Sequence, residues 1–108
     1  MSTITTATIQ SMLARNARDI GCFEADITYT KDDIVYWKNE IKANETDAFA
    51  ARYISSCVEH IQGCYKNIGK SKKQIKLLAA IQRQLKDEIR DRKAYNVALK
   101  AFWQERNA

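Results

Sequence analysis

The strongest constraint on the fold of this chain is a seven-residue repeat of large aliphatic side chains in its first half. The members of the repeat are Leu13, Ile20, Ile27, Ile34 and Ile41. Ile9, Phe23 and Trp37 fill several of the positions three residues further along. Two apolar rows at this spacing lie on one side of an α-helix and form the contact seam of a coiled coil. The sequence therefore predicts one long helix over about residues 5–43.

Two features leave a break in that helix open. Gly21 costs about 1 kcal/mol relative to alanine in a helix interior. Thr30 followed by Asp33 resembles a capping box with aspartate in place of glutamate, which would start a second helix there. Because the repeat keeps its phase across both features, we favour the continuous helix.

A turn is predicted at Asn44-Glu45-Thr46-Asp47, where Asn44 would be the N-cap of a new helix with two acids in its first turn. Beyond the turn the seven-residue repeat resumes and later decays at Gln82, Arg92 and Asn96. Its two rows are Ile54, Ile61, Ile68 and Ile75, and Cys57, Cys64, Leu78 and Leu85.

Gly69 marks a second place where a helix break is open. It can end a helix in the left-handed conformation, and Ser71 with Gln74 forms a capping box for the next one. The chain contains no proline and only three glycines, which argues against a sheet of several strands. The fold class is therefore all-α, in a single helical domain over residues 1–108. It is either an antiparallel coiled-coil-like helical hairpin or a three-helix bundle with long helices at about 5–43, 46–68 and 71–106.

A turn near residues 44–46 sets the register of an antiparallel pair. It places Trp37 beside Tyr53 and Leu13 near Leu78, and the first helix would then end opposite about residue 85. Residues 86–108 would lack a partner in the hairpin. The large apolar side chains of this segment are predicted to bind another protein or a second copy of the chain in a homodimer. They are Tyr95, Leu99, Phe102 and Trp103, and a cap on a bundle core is the alternative.

The net charge of +5 is unevenly distributed. Residues 1–59 carry six Lys or Arg against nine Asp or Glu, and no carboxylate occurs between His60 and Lys86. The basic patch in that interval consists of Lys66, Lys70, Lys72, Lys73, Lys76, Arg83 and Lys86. Grouped lysines can neutralise the phosphates of a nucleic acid, although arginine is the residue that most often makes specific contacts to bases. Nucleic acid, an acidic protein surface and plain solvation remain open for this patch.

Cys57, His60 and Cys64 share one face of a helix and raise the question of a metal site. Residues seven apart lie about 10.5 Å apart along a helix, too far for both thiolates to reach one zinc ion at about 2.3 Å. The chain also lacks a Gly-rich phosphate loop and an H-E-x-x-H pair. We therefore expect no enzyme activity, no catalytic or metal-ligating residues and no cofactor.

An odd count of three cysteines argues against a disulfide framework, and no apolar stretch reaches the roughly 18 residues of a membrane span. A cytoplasmic location without membrane contact is expected. Small size, helical content and uneven charge are typical of adaptors, assembly chaperones and phage-type modulators of host proteins. We expect a non-enzymatic helical protein acting by protein–protein interaction. The alternative is a small basic helical nucleic-acid-binding protein using residues 66–86.

Overall fold

The computed structural model describes residues 4–107, which form two long α-helices joined by a loop. Helix α1 spans Thr6–Asn44, with 39 residues, and helix α2 spans Ala51–Arg106, with 56 residues. No strand occurs within residues 4–107, so the prediction of an all-helical fold with long helices is confirmed. The single domain predicted for 1–108 includes four residues, 1–3 and 108, that lie outside the described range. Over that same range, neither helix has a stretch long and apolar enough to cross a membrane.

Helix α1 begins at a threonine cap and runs without interruption through the positions where a break was open. The Thr8 amide donates to Oγ1 of Thr5 at 3.1 Å, which satisfies one of the free N–H groups of the first turn. Gly21 lies inside α1. The Thr30 hydroxyl donates to the Asp26 carbonyl at 2.7 Å, so it bonds within the helix and caps nothing. The continuous first helix is confirmed.

The loop between the helices differs from the predicted turn. The Asn44 side chain donates from Nδ2 to the Glu40 carbonyl at 2.8 Å, at the end of α1, so the prediction of Asn44 as an N-cap is wrong. Asp47 instead organises the loop, because its Oδ1 accepts the Phe49 amide at 2.9 Å. Helix α2 begins at Ala51, five residues later than the predicted start at 46.

Gly69 does not break α2. Residues 46–68 and 71–106 were predicted as separate helices in the three-helix alternative, which the structure does not support, since α2 is one helix from Ala51 to Arg106. No residue in the described range has a positive φ, so Gly69 does not take the left-handed conformation of a helix end. The physical reason is that Ile61, Ile68 and Ile75 stay in phase on the seam. Their burial outweighs the roughly 1 kcal/mol cost of a helical glycine.

Side-chain burial follows the predicted seam in both helices. In α1, from Ile9 to Asn44, the spacing between successive buried or half-buried residues alternates between four and three. Glu40 is the one half-buried residue outside this pattern. The same spacing runs from Ala50, just before α2, through α2 to Arg92, with Gly63 and Ala79 as additions. Such a sustained alternation is the seam of a coiled coil. The antiparallel helical hairpin therefore fits, and the repeat continues further than its composition indicates.

The packing contacts divide the chain into two units. Unit 1 comprises Met1–Asp19 and Leu78–Ala108, and unit 2 comprises Ile20–Leu77. In each unit one segment of α1 packs antiparallel against one segment of α2. Fully or nearly fully buried side chains of unit 2 are Ile34, Ala50, Cys57 and Ile68, and those of unit 1 are Ile9 and Asn16.

The register of the helix pair differs from the prediction. In unit 1 Asn16, not Leu13, lies opposite Leu78, because the Asn16 side chain bonds to the Leu78 carbonyl. In unit 2 Trp37 stacks on His60 instead of lying beside Tyr53. In unit 2 the shift follows from the longer loop, which moves the residues of α2 toward the loop relative to α1.

Replacing Gly69 by alanine tests the continuity of α2. A Cβ added at Gly69 meets nothing within 4 Å, so we expect Gly69→Ala to raise the free energy of unfolding by roughly 0.5 to 1 kcal/mol, measured by urea denaturation. Gly21→Ala in α1 is the matched control, since it has the same open space, and a similar gain is expected. A loss of stability at Gly69 alone would contradict a continuous helix, because alanine is strained in a left-handed cap.

Candidate functional site

The predicted partner-binding residues lie on α2 beyond its last contacts with α1. Nη1 of Arg92 donates to the Ile4 carbonyl at 2.8 Å and to Oγ1 of Thr6 at 3.3 Å. Every described residue after Arg92 is exposed. The uncovered segment was expected to begin at residue 86, but Ile89 and Arg92 are half-buried, so it begins at 93. It is correspondingly shorter, about 20 Å of helix up to Arg106.

Four large side chains of this segment form what we call the C-terminal surface. They are Tyr95 at 67% exposure, Leu99 at 40%, Phe102 at 49% and Trp103 at 52%. The Phe102 and Trp103 rings meet edge to face with centroids 5.7 Å apart, and the Arg106 guanidinium lies 5.3 Å from the Phe102 centroid. These contacts fix the aromatic side chains on the helix without covering them. Burial by a partner would gain about 1.5 to 3 kcal/mol for each fully covered side chain.

Unit 1 also contains a groove that the sequence analysis missed. Its cavity volume is about 220 Å³. The lining residues are Met12, Arg15, Asn16, Asp19, Leu78, Ile81 and Leu85. Met12 and Ile81 remain 42% and 45% exposed, because they flank the seam instead of lying in it. A two-helix seam leaves such flanking apolar side chains available to a third helix.

Asn16 lies at the base of this groove and is only 4% exposed. Its Nδ2 donates to the Leu78 carbonyl at 2.9 Å, whereas Oδ1 accepts no hydrogen bond from any described residue. A buried acceptor without a donor costs about 1 to 3 kcal/mol. The sequence did contain an indication of this site. Asn16 stands seven residues from both Ile9 and Phe23, so it is a polar residue in an apolar row of the coiled-coil seam.

The basic patch divides between the two units. Lys66, Lys70, Lys72, Lys73 and Lys76 belong to unit 2, and Arg83 and Lys86 belong to unit 1. All seven are exposed and stand off the seam, as their sequence positions predicted. The ion pairs of the described residues involve other cations, Arg90 and Arg92. The patch is therefore a row of solvated cations in each unit.

The Cys57, His60 and Cys64 group does not converge on a point. Cys57 is fully buried in the seam, while the exposed His60 ring stacks on Trp37 with centroids 4.5 Å apart and planes 6° apart. Burial, and secondarily the Asp33 carboxylate, raises the pKa of the Cys64 thiol. Within residues 4–107 no three His, Cys, Asp or Glu side chains are grouped so as to hold a metal ion.

Two other polar pairs of unit 2 join the flanks of the helices. The Tyr53 hydroxyl donates to Oε2 of Glu40 at 3.0 Å, and this bond, with smaller contributions from desolvation and the Glu40 charge, raises the pKa of Tyr53 to about 12. Nζ of Lys38 donates to the Tyr65 hydroxyl at 3.4 Å. Both pairs connect α1 with α2, so they add to the specificity of the antiparallel packing.

Comparison with known proteins assigns no family to this chain. No protein-family model, no curated protein and no solved structure matches it. The C-terminal surface, the groove at Asn16 and the basic patch are thus the features from which a function can be inferred.

Replacing Asn16 by leucine tests the cost of its unpaired oxygen. We expect Asn16→Leu to raise the free energy of unfolding by about 1 kcal/mol or more, because the buried acceptor is removed along with one modest hydrogen bond. Chemical denaturation measures the change. Asn39→Leu, at an exposed site of α1, is the matched control for the helix propensity of leucine. If Asn16→Leu is less stable than the control, the Asn16 to Leu78 bond outweighs the unpaired oxygen.

Proposed function

We propose that this chain acts by binding another protein, without catalysis, and that the C-terminal surface is where the partner docks. The observation that carries the proposal is that α2 continues past Arg92 and exposes five large apolar side chains there, Val97 and the four of the C-terminal surface. Aromatic residues supply much of the binding energy in protein interfaces. A surface of this kind on a stable helix is suited to docking because little order is lost when it binds.

The spacing of the surface indicates how it is recognised. Tyr95, Leu99 and Phe102 follow one another by four and three residues on one side of α2. Side chains at this spacing bind a partner when the apolar face of the helix lies in a hydrophobic groove of that partner. Arg106 beside Phe102 adds a cation at the edge of the anchor row. The preferred partner is therefore a protein with an apolar groove and an acidic rim.

This mode of binding fits a small adaptor, an assembly chaperone or a phage-type modulator of a host protein. Each of these presents a preformed surface and needs no reacting groups. The three thiols are unpaired, which supports action in a reducing compartment such as the cytoplasm.

Affinity capture from the cell in which the protein is made tests the proposal. The double variant Phe102→Ala/Trp103→Ala should lose bound protein while keeping the helical content of the parent, because these side chains touch little beyond their own segment. The affinity should fall at least tenfold, since hot-spot truncations commonly cost about 2 kcal/mol each. Isothermal titration with the recovered partner measures it.

The matched control removes two large exposed side chains elsewhere. Tyr29→Ala/Val35→Ala lies on α1 in unit 2, where the exposures are 74% and 57%. It should bind like the parent protein. Equal capture by the parent and by the Phe102→Ala/Trp103→Ala variant would refute the C-terminal surface as the docking site.

Nucleic-acid binding through residues 66–86 is a second candidate function. The observation that favours it is that all seven cations of the basic patch are exposed and none of them enters the ion pairs of the described residues. Cations free of carboxylates can displace the counterions of a phosphate backbone. Since six of the seven are lysines, such binding would be weakly selective for sequence.

Replacing Lys70, Lys72 and Lys73 together by glutamine tests this second candidate. Folding should be unchanged to within about 0.5 kcal/mol, because exposed charges contribute little to stability. If nucleic acid is bound, its affinity should fall, and the slope of its salt dependence should weaken by about 0.9 for each phosphate of duplex DNA that is no longer neutralised. Lys31→Gln/Lys42→Gln/Lys93→Gln is the charge-matched control. Binding that is absent at low salt, or unaffected by the patch variant, would exclude this function.

A further inference from the structure

One face of α2 within unit 1 has a sequence that reads alike in both directions. Its positions alternate by three and four residues, which keeps them on one side of a helix. From the loop side they are Leu78, Ile81, Leu85, Glu88, Arg92, Tyr95, Leu99 and Phe102. Three apolar residues, an acid–base pair and three apolar residues follow in order. We call this set the palindromic face. Leu78, Leu85 and Arg92 belong also to the seam with α1 and are half-buried there, whereas the other five positions are exposed.

The two ends of the palindromic face differ in shape. The end nearer the loop is concave, because Leu78, Ile81 and Leu85 line the groove of about 220 Å³ together with Met12 and Asn16. An enclosed apolar cavity of about 150 Å³ already admits a benzene ring. The other end is the C-terminal surface, a convex row of exposed side chains in which Tyr95 shares a cavity with Thr6 of α1. The convex end is therefore suited to fill the concave end.

We propose that α2 pairs antiparallel with α2 of a second copy about a two-fold axis close to Arg90, so that the C-terminal surface of each copy fills the groove of the other. The proposal names the partner of the C-terminal surface and therefore rests on the proposed function. In this register Leu85 lies opposite Tyr95 of the second copy and Ile81 lies opposite Leu99. Leu78 lies opposite Phe102.

Charge selects the antiparallel direction. Glu88 and Arg92 already form an ion pair within one chain at 2.8 Å. About the proposed axis Glu88 of each copy faces Arg92 of the other, which makes a closed cluster of four alternating charges. A parallel pair would set Arg92 against Arg92 and Glu88 against Glu88, which is unfavourable. Beside the axis the two Asp91 carboxylates approach each other, and each is accompanied by Arg90 at 3.6 Å.

The unpaired oxygen of Asn16 supports the same occupant. Asn16 lies level with Leu78, to whose carbonyl it is bonded. The proposed register brings Phe102 and Trp103 of the second copy to that level. The indole N–H of tryptophan is a donor only, whereas Oδ1 of Asn16 is a buried acceptor without a donor among the described residues. The proposed register therefore brings an apolar side chain with one N–H donor to the level of this acceptor.

In a two-fold dimer the groove and the C-terminal surface of each copy are both covered. In an isologous pair each groove receives one C-terminal surface, and no third copy can add. A head-to-tail arrangement would leave one groove and one C-terminal surface uncovered at the ends. The proposed assembly is consequently a closed dimer.

Sedimentation equilibrium of the full chain, followed by cross-linking, is the first test. We expect a monomer–dimer equilibrium, and the Phe102→Ala/Trp103→Ala variant should shift it at least tenfold toward monomer. For direction and register, Gln84→Lys/Ala98→Lys places two exposed lysines beside the palindromic face. Fourteen residues of helix separate them by about 21 Å within one chain. Mixed light and heavy isotope-labelled copies should give Lys-to-Lys links between position 84 of one copy and position 98 of the other.

Charge exchange at the axis is the second test. Glu88→Arg and Arg92→Glu should each weaken the dimer about tenfold or more, since like charges then face each other. An equal mixture of the two variants should form a dimer close to the parent in strength, because both contacts become complementary. Glu59→Arg and Arg52→Glu, which make the same charge changes at exposed positions of unit 2, are the controls and should show neither weakening nor recovery on mixing. Circular dichroism verifies folding, since Arg92 also bonds to the Ile4 carbonyl and to Thr6.

Three results would overturn the inference. They are a monomer at every concentration, links joining only position 98 to position 98, and no recovery in the charge mixture. A monomer whose Phe102→Ala/Trp103→Ala variant still loses a captured protein would overturn the second copy as partner while leaving the proposed function intact. A monomer in which that variant captures as well as the parent would overturn both.

Discussion

The structure depends on one narrow interface, the seam along which α1 and α2 meet. Only five apolar residues of the described range fall below a tenth of their full exposure, and among them Cys57 alone is completely buried. Helices of this length gain most of their stability from packing of the apolar face, not from intrinsic propensity. A two-helix seam covers about one side of each helix and leaves flanking side chains such as Met12 and Ile81 in contact with water.

The continuity of the two helices was predictable from the sequence because many apolar residues share the seven-residue repeat. Gly21, Thr30 and Gly69 each favour a break locally, yet none interrupts a helix. A mid-helix glycine costs about 1 kcal/mol, whereas each large seam residue contributes about 1.5 to 3 kcal/mol when fully buried. The three-helix alternative gave too much weight to one glycine against the phase of Ile61, Ile68 and Ile75. Summed burial along the repeat is the better guide.

Register was not predictable in the same way, because it depends on the few residues of the loop. The side chain of Asp47 bonds to the Phe49 amide and delays the start of α2 to Ala51. The place where α1 stops covering α2 moves with it, from residue 86 to residue 93. The residues of the C-terminal surface were nevertheless identified correctly as exposed, since Tyr95, Leu99, Phe102 and Trp103 lie beyond either boundary.

Polar residues take a larger share of the shorter seam in unit 1 than of the seam in unit 2, where Thr30, Asn44 and Ser71 are polar, and the candidate surfaces lie in unit 1. Asn16, Gln82 and Arg92 occupy seam positions of unit 1, while apolar side chains stand beside the seam in the groove and beyond it on the C-terminal surface. A polar seam residue gives up stability and restricts which partners and registers are compatible. Unit 2 has Ile34, Cys57 and Ile68 buried at the corresponding positions. In unit 1, polar seam positions therefore occur together with apolar side chains that the seam leaves exposed.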